Sequence, residues 1–189
     1  MTEEPGLASP VSKFKAVADF DRAVDDLFEK HLRGHRPLDL LMYGASAGGD
    51  HSLIWLALAG LKGWRRAEGP RSLLRAAAVL GAESVLVNGI VKLAFRRQRP
   101  ESPEPRPLPL RMPRTSSFPS GHASSAFFAA AILRDGPTWP CYYALAVVVA
   151  SSRVHVRIHH ASDVVAGAAV GAVLGELARS AFPLMPPKG

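Results

Sequence analysis

Apolar residues gather in runs along this 189-residue chain, and charged residues gather between the runs. Residues 12–33, SKFKAVADFDRAVDDLFEKHLR, repeat Phe14, Val17, Phe20, Val24, Leu27 and Phe28 at steps of three and four, with acids and bases on the other side. That period predicts an amphipathic helix, which Ser12 can cap. Its apolar face suits either packing on the rest of the protein or lying in a membrane interface. Further along, the runs are less interrupted. Residues 37–61 are apolar apart from Asp39, Asp50 and His51, and residues 72–95 apart from Arg75, Glu83, Asn88 and Lys92. Residues 119–133 offer only His122 as a possible charge, 140–152 have none, and 161–178 hold Asp163 and Glu176. Polar turns at 62–71 and 134–139 and a Pro/Arg loop at 96–118 separate them.

Broken at these polar positions, each uninterrupted stretch is shorter than the roughly 20 residues of an ideal spanning helix. Their succession on one short chain nevertheless predicts an all-α integral membrane bundle of about five to six helices, preceded by the amphipathic helix. Tilt, local thinning of the bilayer or polar caps sunk into the interface cover the shortfall. The expected organisation is a polar segment at 1–36, a membrane-embedded domain at 37–183 and a tail at 184–189. No internal repeat is visible.

Composition narrows the reading. The apolar fraction of 48% is far above that of a disordered chain, and a lone Cys141 excludes an intramolecular disulfide framework. Met1 to Pro10 contains two Glu and no apolar stretch, so no signal peptide is expected. A mean hydropathy of only +0.08 averages apolar runs with charged connectors, and does not argue against a membrane. The net charge of +7 admits nucleic acid, a membrane surface or an anionic substrate. Aromatic residues make only 7%, too few for a stacking nucleic-acid face. Residues 92–114 carry seven Lys and Arg against Glu101 and Glu104, a net +5, so most of the excess sits in one segment. The 17 Arg against 6 Lys suit phosphate, although a GC-rich genome produces the same bias.

Ionisable side chains inside apolar runs are costly and mark functional positions. That singles out Asp50, His51, Glu83, Lys92, His122, His159 and Asp163. Three clusters contain most of them: Lys92 to Arg99-Pro100, Pro119-Ser120-Gly121-His122, and Ser152-Arg153 with His159 and Asp163. A Pro-Ser-Gly helix start suits an anion, because free N–H groups point outward and glycine admits close approach. Lys92, Arg99 and Arg153 supply cations for phosphate oxygens. His159 and Asp163 are four apart, so on a helix they share a face, where the acid can hold the imidazole in one tautomer. Two histidines beside three cations fit phosphoryl transfer, one His as nucleophile and the other as acid. If the 72–95 helix ends on one face of the membrane, alternation of the later helices puts all three clusters on that face.

The ordered pattern Lys-x6-Arg-Pro, Pro-Ser-Gly-His and Ser-Arg-x5-His-x3-Asp between residues 92 and 163 resembles the signature of the type 2 phosphatidic acid phosphatase (lipid phosphate phosphatase) superfamily, with every motif position matched. The short length and the segment DHSLIW resemble its small polyprenyl-phosphate phosphatases. The resemblance implies that His159 attacks phosphorus, Asp163 orients it and His122 protonates the leaving oxygen. It implies that Lys92, Arg99, Ser120, Gly121 and Arg153 hold the phosphoryl oxygens, and that no metal or other cofactor is needed. The implied partner is a lipid phosphate in the cell membrane, with undecaprenyl pyrophosphate, phosphatidylglycerophosphate and phosphatidate open beside polyprenyl monoesters.

Other readings compete at single positions. His155, His159 and Asp163 could form a metal-binding helix face, which nearby cations disfavour. His155 and His160 fit structural or interfacial roles. Asp50 and His51 fit a helix cap or the wall of the site. Glu83 and Asn88 fit mutual or backbone satisfaction. The prolines of 96–118 fit a stiff connector, on which Arg111 and Arg114 are candidates to meet a headgroup. Soluble acid phosphatases and vanadium haloperoxidases share the motifs, but normally carry signal peptides or are much longer. A lipid-binding membrane protein without catalysis is the non-enzyme alternative.

Overall fold

A computed structural model describes residues 10–65, 70–102, 105–134 and 136–182; the tail 184–189 and part of the 62–71 turn lie outside the described residues. Seven α-helices carry the fold, and no strand occurs among the described residues: α1 (Pro10–His31), α2 (Arg36–Gly48), α3 (Leu53–Arg65), α4 (Pro70–Ser84), α5 (Gly121–Leu133), α6 (Trp139–His155) and α7 (Ala161–Ala181). Beyond α4 the chain continues as a π-helical stretch, Val85–Ile90, and a tight turn, Val91–Ala94. Pro70–Ala94 and Ala161–Ala181 are long and apolar enough to cross a membrane; Gly121–Leu133 is a shorter apolar helix.

Helix α5 is the axis of the bundle, with every residue but His122 and Phe127 buried. Its contact with α7 is the most extensive between two helices among the described residues, and three glycines permit it. A Cβ at Gly167 would stand 2.3 Å from the Ser120 carbonyl oxygen, one at Gly171 2.0 Å from that of Ser124, and one at Gly175 2.8 Å from that of Phe128. This Gly-x3-Gly-x3-Gly stripe is the small-residue seam by which apolar helices bring backbones together. The seam is legible in the sequence as a period of four, and the reading above overlooked it. Gly171→Ala is expected to cost about 3 kcal/mol or more, because backbone must move. Gly81→Ala, with nothing within 4 Å of its added methyl, leaves stability unchanged or higher. Thermal unfolding of the two variants in detergent checks this.

The apolar run 37–61 folds as two helices, α2 and α3, joined by a tight turn. Asp39 at the start of α2 lies beside His155 at the end of α6, and Lys62 near the end of α3 donates to the Leu133 carbonyl at the far end of α5. Between them the rod breaks at residues 49–52, where His51 (φ 51°) and Ser52 (φ 59°) take the left-handed conformation. That conformation costs a non-glycine residue about 1–2 kcal/mol each. The break therefore falls part-way down the bundle, against the start of α5.

Helix α1 begins at Pro10, so Ser12 lies inside its first turn rather than capping it. It docks on the end of the bundle through polar groups. Asp21, 7% exposed, accepts from the Ser162 backbone N–H at 2.8 Å and from the Ser162 hydroxyl. Arg33, just after the helix, pairs with Asp25 and donates to the carbonyls of Val154 and His155. Phe14, Val17, Phe20 and Leu27 stay exposed, so the apolar side is not simply the packing face.

Candidate active site

The three motif clusters converge on one end of the bundle. Lys92 sits on the turn that ends the α4 rod, Arg99 on the following loop, and Ser120 to His122 at the start of α5. Arg153 lies in the last turn of α6, His159 in the five-residue link, and Asp163 in the first turn of α7. A cavity of about 350 Å³ is lined by Lys92, Gly121, His122, Arg153 and His159, together with Asp50, His51, Asn88, Arg111 and Arg114.

His159 is 2% exposed. Its Nε2 faces Arg99 Nη1 at 3.3 Å, and its Nδ1 faces Asp163 Oδ2 at 3.7 Å. A guanidinium can only donate, so this arrangement assigns the lone pair to Nε2 and the proton to the nitrogen on the Asp163 side. Burial pushes the imidazole pKa down to about 3, Arg153, Arg99 and Lys92 add to the fall, and Asp163 opposes it. A neutral ring with a free Nε2 lone pair is the nucleophilic form.

The helix-face argument for His159 and Asp163 is corrected by the fold. Helix α6 ends at His155 and α7 starts at Ala161, so His155, His159 and Asp163 share no helix, and the metal-face reading loses its geometry. Among the described residues no three or more His, Cys, Asp or Glu side chains gather as a metal-binding group. Asp163 is fully buried and held by more than the histidine. Its Oδ1 receives Arg97 Nη1 at 2.6 Å, and its Oδ2 receives the Ser117 hydroxyl and the His160 backbone N–H. Arg97 also grips Asp21 of α1 at 2.5 Å. Asp21 had a visible signal, an acid at helical spacing from Val17, Val24 and Phe28; Arg97 and Ser117 had none.

The phosphate-binding candidates differ in what they do here. Arg153 is 2% exposed, donates to the Ser46 hydroxyl, and keeps a buried Nε without a partner. Arg99 is pinned to the carbonyls of Ile158, Thr115 and Ser116, and its Nε is likewise unpartnered. Lys92 is 7% exposed. Among the described residues none of these three cations pairs with a carboxylate within 4.0 Å. Positive charge largely removed from solvent without a counter-ion, with donors left over, suits an anionic group. Gly121 belongs to the same wall: a Cβ there would meet Asn88 Oδ1 at 2.2 Å. Ser120 is fully buried, caps α5 through the Ala123 N–H, and donates its own N–H to the Asp163 carbonyl. It ties the second motif to the third.

His122 meets Asp50, with Nε2 3.0 Å from Oδ1. Asp50 and His51 therefore line the site, and His51 Nε2 contacts Arg111 Nη1 at 3.1 Å. Glu83 and Asn88 do not satisfy each other: Glu83 accepts from the Ser124 hydroxyl, and Asn88 donates to the Ser84 hydroxyl at 3.2 Å. His155 is structural, pairing with Asp39 at 2.7 Å and packing edge-on against Phe28. His160 faces the Gln98 carbonyl, outside the cavity wall. A second cavity of about 420 Å³, under α1, is lined by paired charges such as Arg33, Asp39 and Arg157, and holds no motif residue.

The profile of the PAP2 superfamily matches residues 72–184. The decaprenylphosphoryl-5-phosphoribose phosphatase of Mycobacterium tuberculosis is 33% identical over 138 residues, covering 72% of this chain and 76% of that protein. The lipid A 1-phosphatase of Porphyromonas gingivalis is 38% identical over 101 residues, covering 49% of this chain and 20% of that protein. Among solved structures, a transmembrane PAP2-type phosphatidylglycerolphosphate phosphatase from Bacillus subtilis superposes with a TM-score of 0.64 at 22% identity, over 92% of this chain and 96% of that one.

Proposed function

The chain belongs to the PAP2 superfamily and is a lipid phosphatase; from that premise we propose that it is a multi-pass enzyme of the cell membrane, releasing phosphate from a polyprenyl-type lipid through a phosphohistidine. Its first-choice substrate is decaprenylphosphoryl 5-phosphoribose, an intermediate of cell-wall arabinan synthesis, on the strength of the mycobacterial relative. The observation that carries the chemistry is the meeting of three cations without a carboxylate partner among the described residues, the buried Lys92 and Arg153 and the half-buried Arg99, around the neutral ring of His159.

In the proposed reaction the phosphoryl oxygens enter among those cations and the Gly121 N–H. His159 Nε2 attacks phosphorus, the bond to the ester oxygen breaks, and His122 gives that oxygen a proton. Water then attacks the phosphohistidine, returns a proton to His122 and frees phosphate. Asp163, immobilised by Arg97 and Ser117, keeps the His159 proton on the side away from phosphorus. Fixed cations match the charge that spreads over the equatorial oxygens in the transition state. The site lies at the end of the bundle where α1 docks. The exposed Phe14, Val17, Phe20 and Leu27 support a helix lying in the lipid interface beside it.

Phosphate release from purified protein tests the reading against decaprenylphosphoryl 5-phosphoribose, undecaprenyl pyrophosphate, phosphatidylglycerophosphate and phosphatidate. The ribose phosphate is expected to turn over fastest, EDTA to have no effect, and vanadate to inhibit. Activity abolished by EDTA, or no release from any of the four, overturns it.

A further inference from the structure

We infer that Asp50 is a positioning residue for His122, holding that imidazole and stabilising its cation while it protonates the leaving oxygen. The inference rests on the phosphohistidine reading above and adds a group outside the three motifs. Its ground is the break in the α2–α3 rod. There the chain gives up helix in the left-handed residues His51 and Ser52, and the result is to set the Asp50 carboxylate against the ring at the start of α5. Such strain persists where surrounding structure imposes it, commonly at active sites.

Asp50 is not needed to finish the turn it begins. The Ser52 N–H goes to the Gly49 carbonyl and the Leu53 N–H to the Asp50 main-chain carbonyl, so the side chain is left for His122. Gly49 completes the fit. A Cβ there would stand 2.8 Å from His122 Cδ2 and 3.0 Å from a Val149 methyl, so only glycine lets the rod run this close to the ring. The ring is only 17% exposed and shares its cavity wall with the cations Arg153 and Lys92. Without a carboxylate beside it, the acid would be hard to keep charged.

The proton balance follows. With Nε2 on Asp50, the Nδ1–H of the imidazolium goes to the ester oxygen as the P–O bond breaks and the bond to His159 forms. The electron pair leaves with the oxygen. His122 is then neutral, and takes a proton from the water that attacks the phosphohistidine. Asp50 stays ionised throughout, its Oδ1 held 3.0 Å from Nε2, and takes no proton itself.

Two prenyl phosphates with different leaving groups test this. Farnesyl phosphate expels an alkoxide and needs an acid; farnesyl diphosphate expels a phosphate ester anion and does not. Asp50→Asn is expected to lower kcat/KM on farnesyl phosphate about 100-fold and on the diphosphate less than about 5-fold. In a His122→Ala background it should cause no further loss on the monophosphate, and Asp50→Glu should recover part of it. Equal losses on both substrates assign Asp50 to the fold alone, and no loss on either makes it a bystander; both overturn the inference. A wild-type protein that hydrolyses neither substrate overturns the phosphatase reading instead. The pairing then stands or falls on whether Asp50→Asn moves the His122 ¹⁵N signals of labelled protein.

Discussion

Replacing His159 with alanine is expected to lower kcat by about 10⁵-fold or more, since the bond to phosphorus has no substitute nucleophile. His160, the neighbouring histidine, cannot take over, because its ring faces the Gln98 carbonyl outside the cavity. His160→Ala should therefore keep activity within about tenfold of wild type. Rapid quench in alkaline detergent with labelled lipid phosphate should trap an alkali-stable, acid-labile phosphoprotein in wild type and none in His159→Ala. A phosphoprotein that survives the substitution sinks the assignment. With its pKa pushed down to about 3 by burial, His159 is already neutral well below neutrality. A histidine with a lowered pKa gains a proton only as pH falls through that lowered value. Between about pH 5 and 8 the nucleophile should thus contribute no acidic fall in kcat/KM.

Arg153→Ala is expected to lower kcat/KM by about 10²–10³, the loss typical of one fixed donor to a developing oxyanion. Arg153→Lys should recover little. The guanidinium donates to Ser46 of α2 while its Nε stays unpartnered, and an ammonium on a flexible stem cannot do both in one geometry. Removing an unpaired buried cation also relieves desolvation, so Tm in detergent should stay level or rise while activity falls. Steady-state kinetics on the best lipid phosphate, read beside Tm, separates the two. An Arg153→Ala protein with unchanged kcat/KM refutes the role. So does one that has merely lost its fold, if ligand-free stability drops in step with activity.

The sequence alone determined the helical character, the positions of the apolar rods and the identity of the chemical groups. Apolar runs, a Pro-Ser-Gly helix start and ionisable residues within them are local properties, written within a few residues of one another. Alternation of the rods even predicted that Lys92, His122, Arg153 and His159 meet at one end. What it could not determine is which groups touch. In the 37–61 run GGDHS admits either a helix cap or the wall of a site, and the sequence does not choose between them. Only the pressure of α5 and α6 on Gly49 selects the break that delivers Asp50 to His122. His159 and Asp163 looked like one helix face, yet the link before α7 sets them 3.7 Å apart and gives the carboxylate to Arg97, Ser117 and the His160 N–H. Arg97 looked like one more base in a basic loop. Its role exists only because Asp21, dozens of residues away and also holding the start of α7, sits on its other side. Hydropathy and helical period act over a few residues. The charge pairing and close packing that shape this site act between segments the chain brings together only when folded.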